Sequence, residues 1–172
     1  MLTLFRHALA VAVFPFTVTV LIPVWIAREY RIVFALGPSV TAIVAQGAGL
    51  AVLVVGLTLF LASLRWFAVD GRGTLAPWDP PRRLVVSGPY RFVRNPMISG
   101  VLFVLVGEAL LLRSAPHGVW AGIFLGVNLL YIPLIEEPEL AARFGDDYRD
   151  YCRSVPRLLP RATAWRGPRR TP

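Results

Sequence analysis

The chain has 172 residues, 56% of them hydrophobic, with a formal net charge of +8; the length fits one domain and the apolar share exceeds that of ordinary soluble domains. All 18 basic residues are arginine, but they sit in loops and in the tail between apolar segments, which points to orientation in a bilayer rather than to nucleic acid. Cys152 is the only cysteine, which excludes an intrachain disulfide and argues against a zinc cluster.

Four apolar segments are predicted to cross a membrane: about Ala8 to Ile26, Val40 to Leu64, Met97 to Leu112 and Val119 to Ile135. The first is longer than the apolar part of a signal peptide and has no small-residue cleavage site after it, so it is expected to stay. The third and fourth are short against the roughly 20 residues a spanning helix needs and are read as a hairpin. Trp25, Trp66 and Trp120 near the segment ends match interfacial aromatic belts.

With four spans, fifteen of the arginines fall on one side, and Arg28, Arg31 and Arg113 on the other. The positive-inside bias then places both termini and the 65–96 loop in the cytoplasm. Gly71, Gly73, Pro77, Pro80 and Pro81 make much of that loop irregular. Leu84-Val85-Val86 is a short apolar run that either lies on the membrane or packs beneath a site. After the fourth span, Leu140, Phe144, Tyr148 and Tyr151 recur at helical spacing, predicting an amphipathic helix interrupted at Gly145. It reads either as a helix on the bilayer surface or as a lid.

Two polar clusters meet on the cytoplasmic side. Tyr90, Arg91, Arg94, Asn95 and Pro96 enter the third segment, where Pro96 starts a helix and restrains Asn95. Glu136, Glu137 and Glu139 close the fourth, next to anionic lipid and the negative end of a helix, where carboxylates are disfavoured without a positive partner. Either Arg94 or Arg91 pairs with them, or they bind a cationic ligand. Glu108 lies near mid-bilayer, counted at about 1.5 Å per residue from Met97. It reads as a contact to a substrate headgroup or as a packing residue bonded to Asn128 or Gln46.

The ordered set GPYRFVRNPM, an apolar hairpin, EEPEL, FGDDYRDY and VPRLLP, preceded by GRGTLAPWDPPRRLVV, resembles the isoprenylcysteine carboxyl methyltransferase and phospholipid methyltransferase family over residues 71–160. The resemblance implies an all-α integral membrane protein of about four transmembrane helices plus a cytoplasmic amphipathic C-terminal helix. Its parts would be N-terminal membrane helices over 1–70, a methyltransferase core over 71–160 and a flexible basic tail over 161–172. It implies an enzyme of the bacterial inner membrane that takes S-adenosylmethionine at a cytoplasmic site and a lipophilic acceptor from the bilayer, with no metal and no nucleic acid.

Carried onto this chain, the resemblance makes Tyr90, Arg94, Asn95 and Pro96 line the cofactor from one side, and Glu136, Glu137, Leu140, Tyr148 and Tyr151 from the other. Leu84, Val86 and Gly88 would contribute mainly backbone. Arg94 and Glu137 would carry the reaction, with Ile98, Glu108 and Asn128 toward the substrate. The family often has His at the position of Asn95 and an aromatic at that of Ile98; an amide excludes proton exchange there. The reaction expected first is carboxyl O-methylation of isoprenylcysteine type. Phospholipid N-methylation and a non-catalytic membrane scaffold are the alternatives.

Overall fold

The computed structural model describes residues 12–71 and 83–167, and every regular element among them is helical. Pro15 has no N–H to give to a helix. The stretch around it, Ala12–Leu21, takes wider π-helical turns and leads into α1, Ile22–Glu29. α2 spans Val40–Asp70, α3 Pro96–Leu111 and α4 Ala115–Tyr131. A second π-helical turn, Ile132–Glu136, contains Pro133 and runs directly into α5, Glu137–Ser154.

These elements follow the predicted segments with shifted ends. α2 continues past Leu64 to Asp70, and α4 starts before Val119 because the Ser114 hydroxyl caps it, accepting the His117 N–H at 3.3 Å. The expected start of the first segment, 8–11, and residues 72–82 of the loop lie outside the described residues.

α2 and the continuous helix Ala115–Ser154 are long and apolar enough to cross a bilayer; α3 is a shorter apolar helix. The apolar part of the second ends at Ile135, and polar sequence begins at Glu136. Only 22% and 11% of their apolar windows are buried. A core helix of a soluble protein would bury most of its window, so these are helices of the kind lipid solvates.

The chain divides into two units. In the first, Met1–Thr58 with Gly100–Gly126, α2 and α3 approach through small residues. A Cβ on Gly56 would stand 2.7 Å from the Gly100 carbonyl oxygen and the Val104 nitrogen, and one on Gly107 would stand 2.6 Å from Leu53. Such contacts need bare backbone, as at close helix crossings in membranes. Gln46 ties the crossing to the preceding loop, donating to the carbonyls of Leu111 at 3.0 Å and Ala35 at 2.9 Å and accepting from the Gly37 N–H. His117 pairs with Ser114 at 2.7 Å and with the Pro23 carbonyl at 3.2 Å, and the Trp120 indole donates to the Val18 carbonyl.

The second unit, Leu59–Ser99 with Val127–Pro172, is built on α5. Tyr148, Tyr151 and Val155 form its buried centre, and Leu84, Val86, Leu140, Phe144, Cys152 and Trp165 pack against them. Burying each large side chain contributes roughly 1.5–3 kcal/mol. The 84–86 run therefore packs beneath α5, which resolves one of its two readings. Gly145 breaks α5 as its sequence predicts, with φ 58° and ψ −132°, a conformation open to glycine at little cost.

Candidate functional site

The polar loop before α3 is fixed from below and from one side. Gly88 has φ +53°, and a Cβ there would lie 2.4 Å from the Trp66 ring, so the end of α2 supports bare backbone at this point. Beside it, the Ser87 hydroxyl donates to the carboxylate of Asp70, the last residue of α2. Gly88–Arg91 then forms a single 3-10 turn, with Pro89 setting its φ.

The chain that follows α5 returns along this loop. The Pro156 carbonyl accepts the Arg94 N–H at 2.8 Å, and the Arg157 carbonyl accepts both the backbone N–H and the side-chain amide of Asn95. Ser99 donates to the Leu158 carbonyl, and Arg161 donates its N–H to Phe92. Arg91 and Trp165 exchange a reciprocal pair, side chain to carbonyl at 2.8 Å and N–H to carbonyl at 2.9 Å. The buried Tyr151 hydroxyl donates to the Tyr90 carbonyl at 2.6 Å. Arg161 and Trp165, in the first part of the stretch 161–172 expected as a tail, are thus bonded to the loop; residues 168–172 lie outside the described residues.

At the centre, one carboxylate holds two guanidinia. Arg94 Nη1 donates to Glu137 Oε1 at 2.7 Å, while Arg157 grips Glu137 with Nε and Nη2 at 2.8 and 2.9 Å. Arg94 Nη1 also lies 2.9 Å from the Cys152 sulfur. The Arg94 and Glu137 side chains are only 11% and 20% exposed, so water screens this pair far less than a surface ion pair. The Arg94 Nε–H is buried and has no hydrogen-bond partner among the described residues. Of the two pairings open to the glutamates, Arg94 takes Glu137 and Arg91 goes to Trp165.

Glu136 precedes Glu137 but takes no part in these ion pairs. Burial, then the neighbouring Glu137 charge, push its carboxyl up to about 7, against the opposing pull of Arg94. Burial also raises the phenols of Tyr90, Tyr148 and Tyr151, that of Tyr148 further through its hydrogen bond with Cys152. The hydrogen bond to Glu137 raises the Arg157 guanidinium, keeping it charged.

Of the residues singled out from sequence, Arg94, Asn95, Glu136, Glu137, Tyr90 and Tyr148 surround or adjoin this cluster. Leu84, Val86 and Leu140 pack on its tyrosines. Pro96 is fully buried at the start of α3, with Ile98 half-buried in the same turn. Asn128 lies in α4 within this unit, whereas Glu108 belongs to the other. Gln46 bonds Gly37, Ala35 and Leu111, and Glu108 Oε2 has no hydrogen-bond partner among the described residues. Sequence reasoning missed Arg157, although the motif VPRLLP contains it; an arginine fixed between Pro156 and Pro160 was the available signal. It also gave no sign that Cys152 would stand beside Arg94.

The sequence model of the phospholipid methyltransferase family matches residues 43–147, well over half of the chain. The chain belongs to that family. It is 41% identical over 71 residues to the methanethiol S-methyltransferase of Mycobacterium tuberculosis. That alignment covers 41% of this chain and 28% of the relative, so the chain spans little more than a quarter of the curated relative it matches. No solved structure matches the chain. Arg94 and Glu137 both lie within the family-matched residues; Arg157 lies beyond them.

Proposed function

We propose that this chain is an integral-membrane methyltransferase that takes S-adenosylmethionine and methylates a small lipophilic nucleophile. The observation that carries the reading is the Arg94–Glu137–Arg157 cluster, set where the family-matched loop meets α5. The residues present fit the cofactor's chemistry. Glu136, outside the ion pairs, suits a sulfonium or ammonium group, aromatic rings such as Tyr90 and Tyr148 add cation–π attraction, and the unpartnered Arg94 Nε–H suits an anionic oxygen.

S-adenosylmethionine supplies an electrophilic methyl group on a positively charged sulfur. Tyr90, Arg94, Asn95, Pro96, Leu140 and Tyr148 would hold and orient it, with Leu84, Val86 and Gly88 contributing backbone. Glu137 is committed to two guanidinia, so its part is to fix Arg94, and Glu136 is the carboxylate left for a cation. Strong binding of the sulfonium alone would favour the ground state. The protein's larger contribution is therefore to align the reacting groups and exclude water.

The similarity to a methanethiol S-methyltransferase favours a thiol acceptor. A thiol must lose its proton to react well, and a carboxylate with its pKa near 7, Glu136, suits that task. The family's description favours a second reading, an amine on a phospholipid headgroup, which needs a base in the same way; an isoprenylcysteine-type carboxylate needs none. The arginine distribution supports a cytoplasmic site. Membranes containing the chain, given methyl-labelled S-adenosylmethionine and separately an alkanethiol, a fatty acid and phosphatidylethanolamine, test this. Labelled thioether is expected first; a chain that binds the cofactor yet labels none of the three refutes this acceptor range, and one that does not bind it is a scaffold.

A further inference from the structure

The cluster contains one more positive charge than its ion pairing needs. Arg94 and Glu137 alone would close as a neutral pair. Arg157 takes both oxygens of Glu137 in the side-on, bidentate geometry that guanidinium and carboxylate share, leaving Arg94 bound through Nη1 only. The opposite edge of the Arg94 guanidinium carries the Nε–H, which is buried and has no acceptor among the described residues. A buried donor left unpaired is uncommon in native proteins and asks for a partner. Glu136 acts on Arg94 through space but does not bond it. The Arg157 carbonyl also receives Asn95, so one residue sets both the charge and the register of the Arg94-Asn95 step.

We infer that Arg157 is a positioning residue: by neutralising Glu137 it leaves Arg94 with an uncompensated charge and a free Nε–H that bind a carboxylate on the ligand. The inference rests on the methyltransferase reading for the identity of that ligand, whose carboxylate belongs either to the amino-acid end of S-adenosylmethionine or to the acceptor. In both cases Arg94 makes the contact and Arg157 acts through Glu137.

Isothermal titration separates the sources, using wild type, Arg157→Gln, Arg157→Lys and Arg94→Lys in one detergent, with thermal unfolding recorded for each. The probes are S-adenosylmethionine, its decarboxylated analogue, dodecanoate and dodecanol. Loss of one charge-assisted contact costs about tenfold in affinity. If the cofactor supplies the carboxylate, Arg157→Gln weakens S-adenosylmethionine about tenfold and its decarboxylated analogue little, and Arg157→Lys recovers most of the loss. If the acceptor supplies it, the same pattern appears between dodecanoate and dodecanol while both cofactor forms are unchanged. If Arg157→Gln does not fold, Arg94→Lys, which keeps the charge but lacks the Nε–H, must lose the same discrimination. Folded variants with wild-type discrimination on both pairs of probes overturn the inference. A wild type that fails to bind S-adenosylmethionine instead overturns the methyltransferase reading, and the dodecanoate pair then decides this one.

Discussion

Glu137→Ala is the most informative perturbation of stability. It removes the acceptor of three charge-assisted hydrogen bonds and leaves two guanidinia facing each other. Removing one partner of a buried ion pair typically costs about 3–5 kcal/mol. Glu137 and Arg157 are 20% and 33% exposed, so water relieves part of that, and a loss of about 2–4 kcal/mol is expected. For a chain of this size that lowers the unfolding midpoint by about 5–15 °C. Thermal unfolding of Glu137→Ala, Arg157→Ala and the double variant in one detergent measures it. The double variant should cost less than the two single variants added together, by about 1–3 kcal/mol, because the same bonds are counted in both. A Glu137→Ala chain that melts like the wild type, or strictly additive losses, would refute a stabilising role for the Arg94–Glu137–Arg157 cluster.

Further outcomes follow from the geometry and from the raised pKa of Glu136. Gly56→Ala should destabilise by about 1–3 kcal/mol, since its methyl meets the Gly100 carbonyl and Val104 nitrogen; Gly122→Ala, with open space around it, should be neutral or gain up to about 1 kcal/mol of helix propensity. Tyr151→Phe, which strands the Tyr90 carbonyl, should cost about 1–2 kcal/mol by thermal or denaturant unfolding. A cation favours ionised Glu136, so affinity for S-adenosylmethionine should climb as pH rises through about 7 and level off above, and Glu136→Gln should flatten that slope in calorimetry. The same raised pKa means that this group's stabilising contribution is complete below the ordinary carboxylate range and is lost as pH rises through about 7.

The helices were legible in the sequence because their causes are local. Unbroken apolar runs set α2 to α4, Pro96 marked a start, and the spacing of Leu140, Phe144, Tyr148 and Tyr151 with Gly145 between them gave α5 and its break. The pairing of Arg94 with a glutamate was legible as a charge argument, since carboxylates at a span end need a positive neighbour. Which glutamate it takes was not, because neighbouring residues on a helix point in different directions and the sequence carries no sign of that choice. Arg157 was hidden for a different reason: it reaches Glu137 because the chain after α5 folds back along 91–95 through backbone hydrogen bonds, and backbone pairing leaves little trace in side-chain pattern. The π-helical turns at Pro15 and Pro133 were equally unmarked, since proline predicts a disturbed helix but not the form it takes.

The central claim, that the Arg94–Glu137–Arg157 cluster belongs to a cofactor site, is tested most directly by calorimetric titration of S-adenosylmethionine into the purified protein and into Arg94→Ala. Saturable one-site binding by the wild type, weakened at least about tenfold in a folded Arg94→Ala, is the predicted result. No binding by the wild type, or equal binding by both, would contradict it.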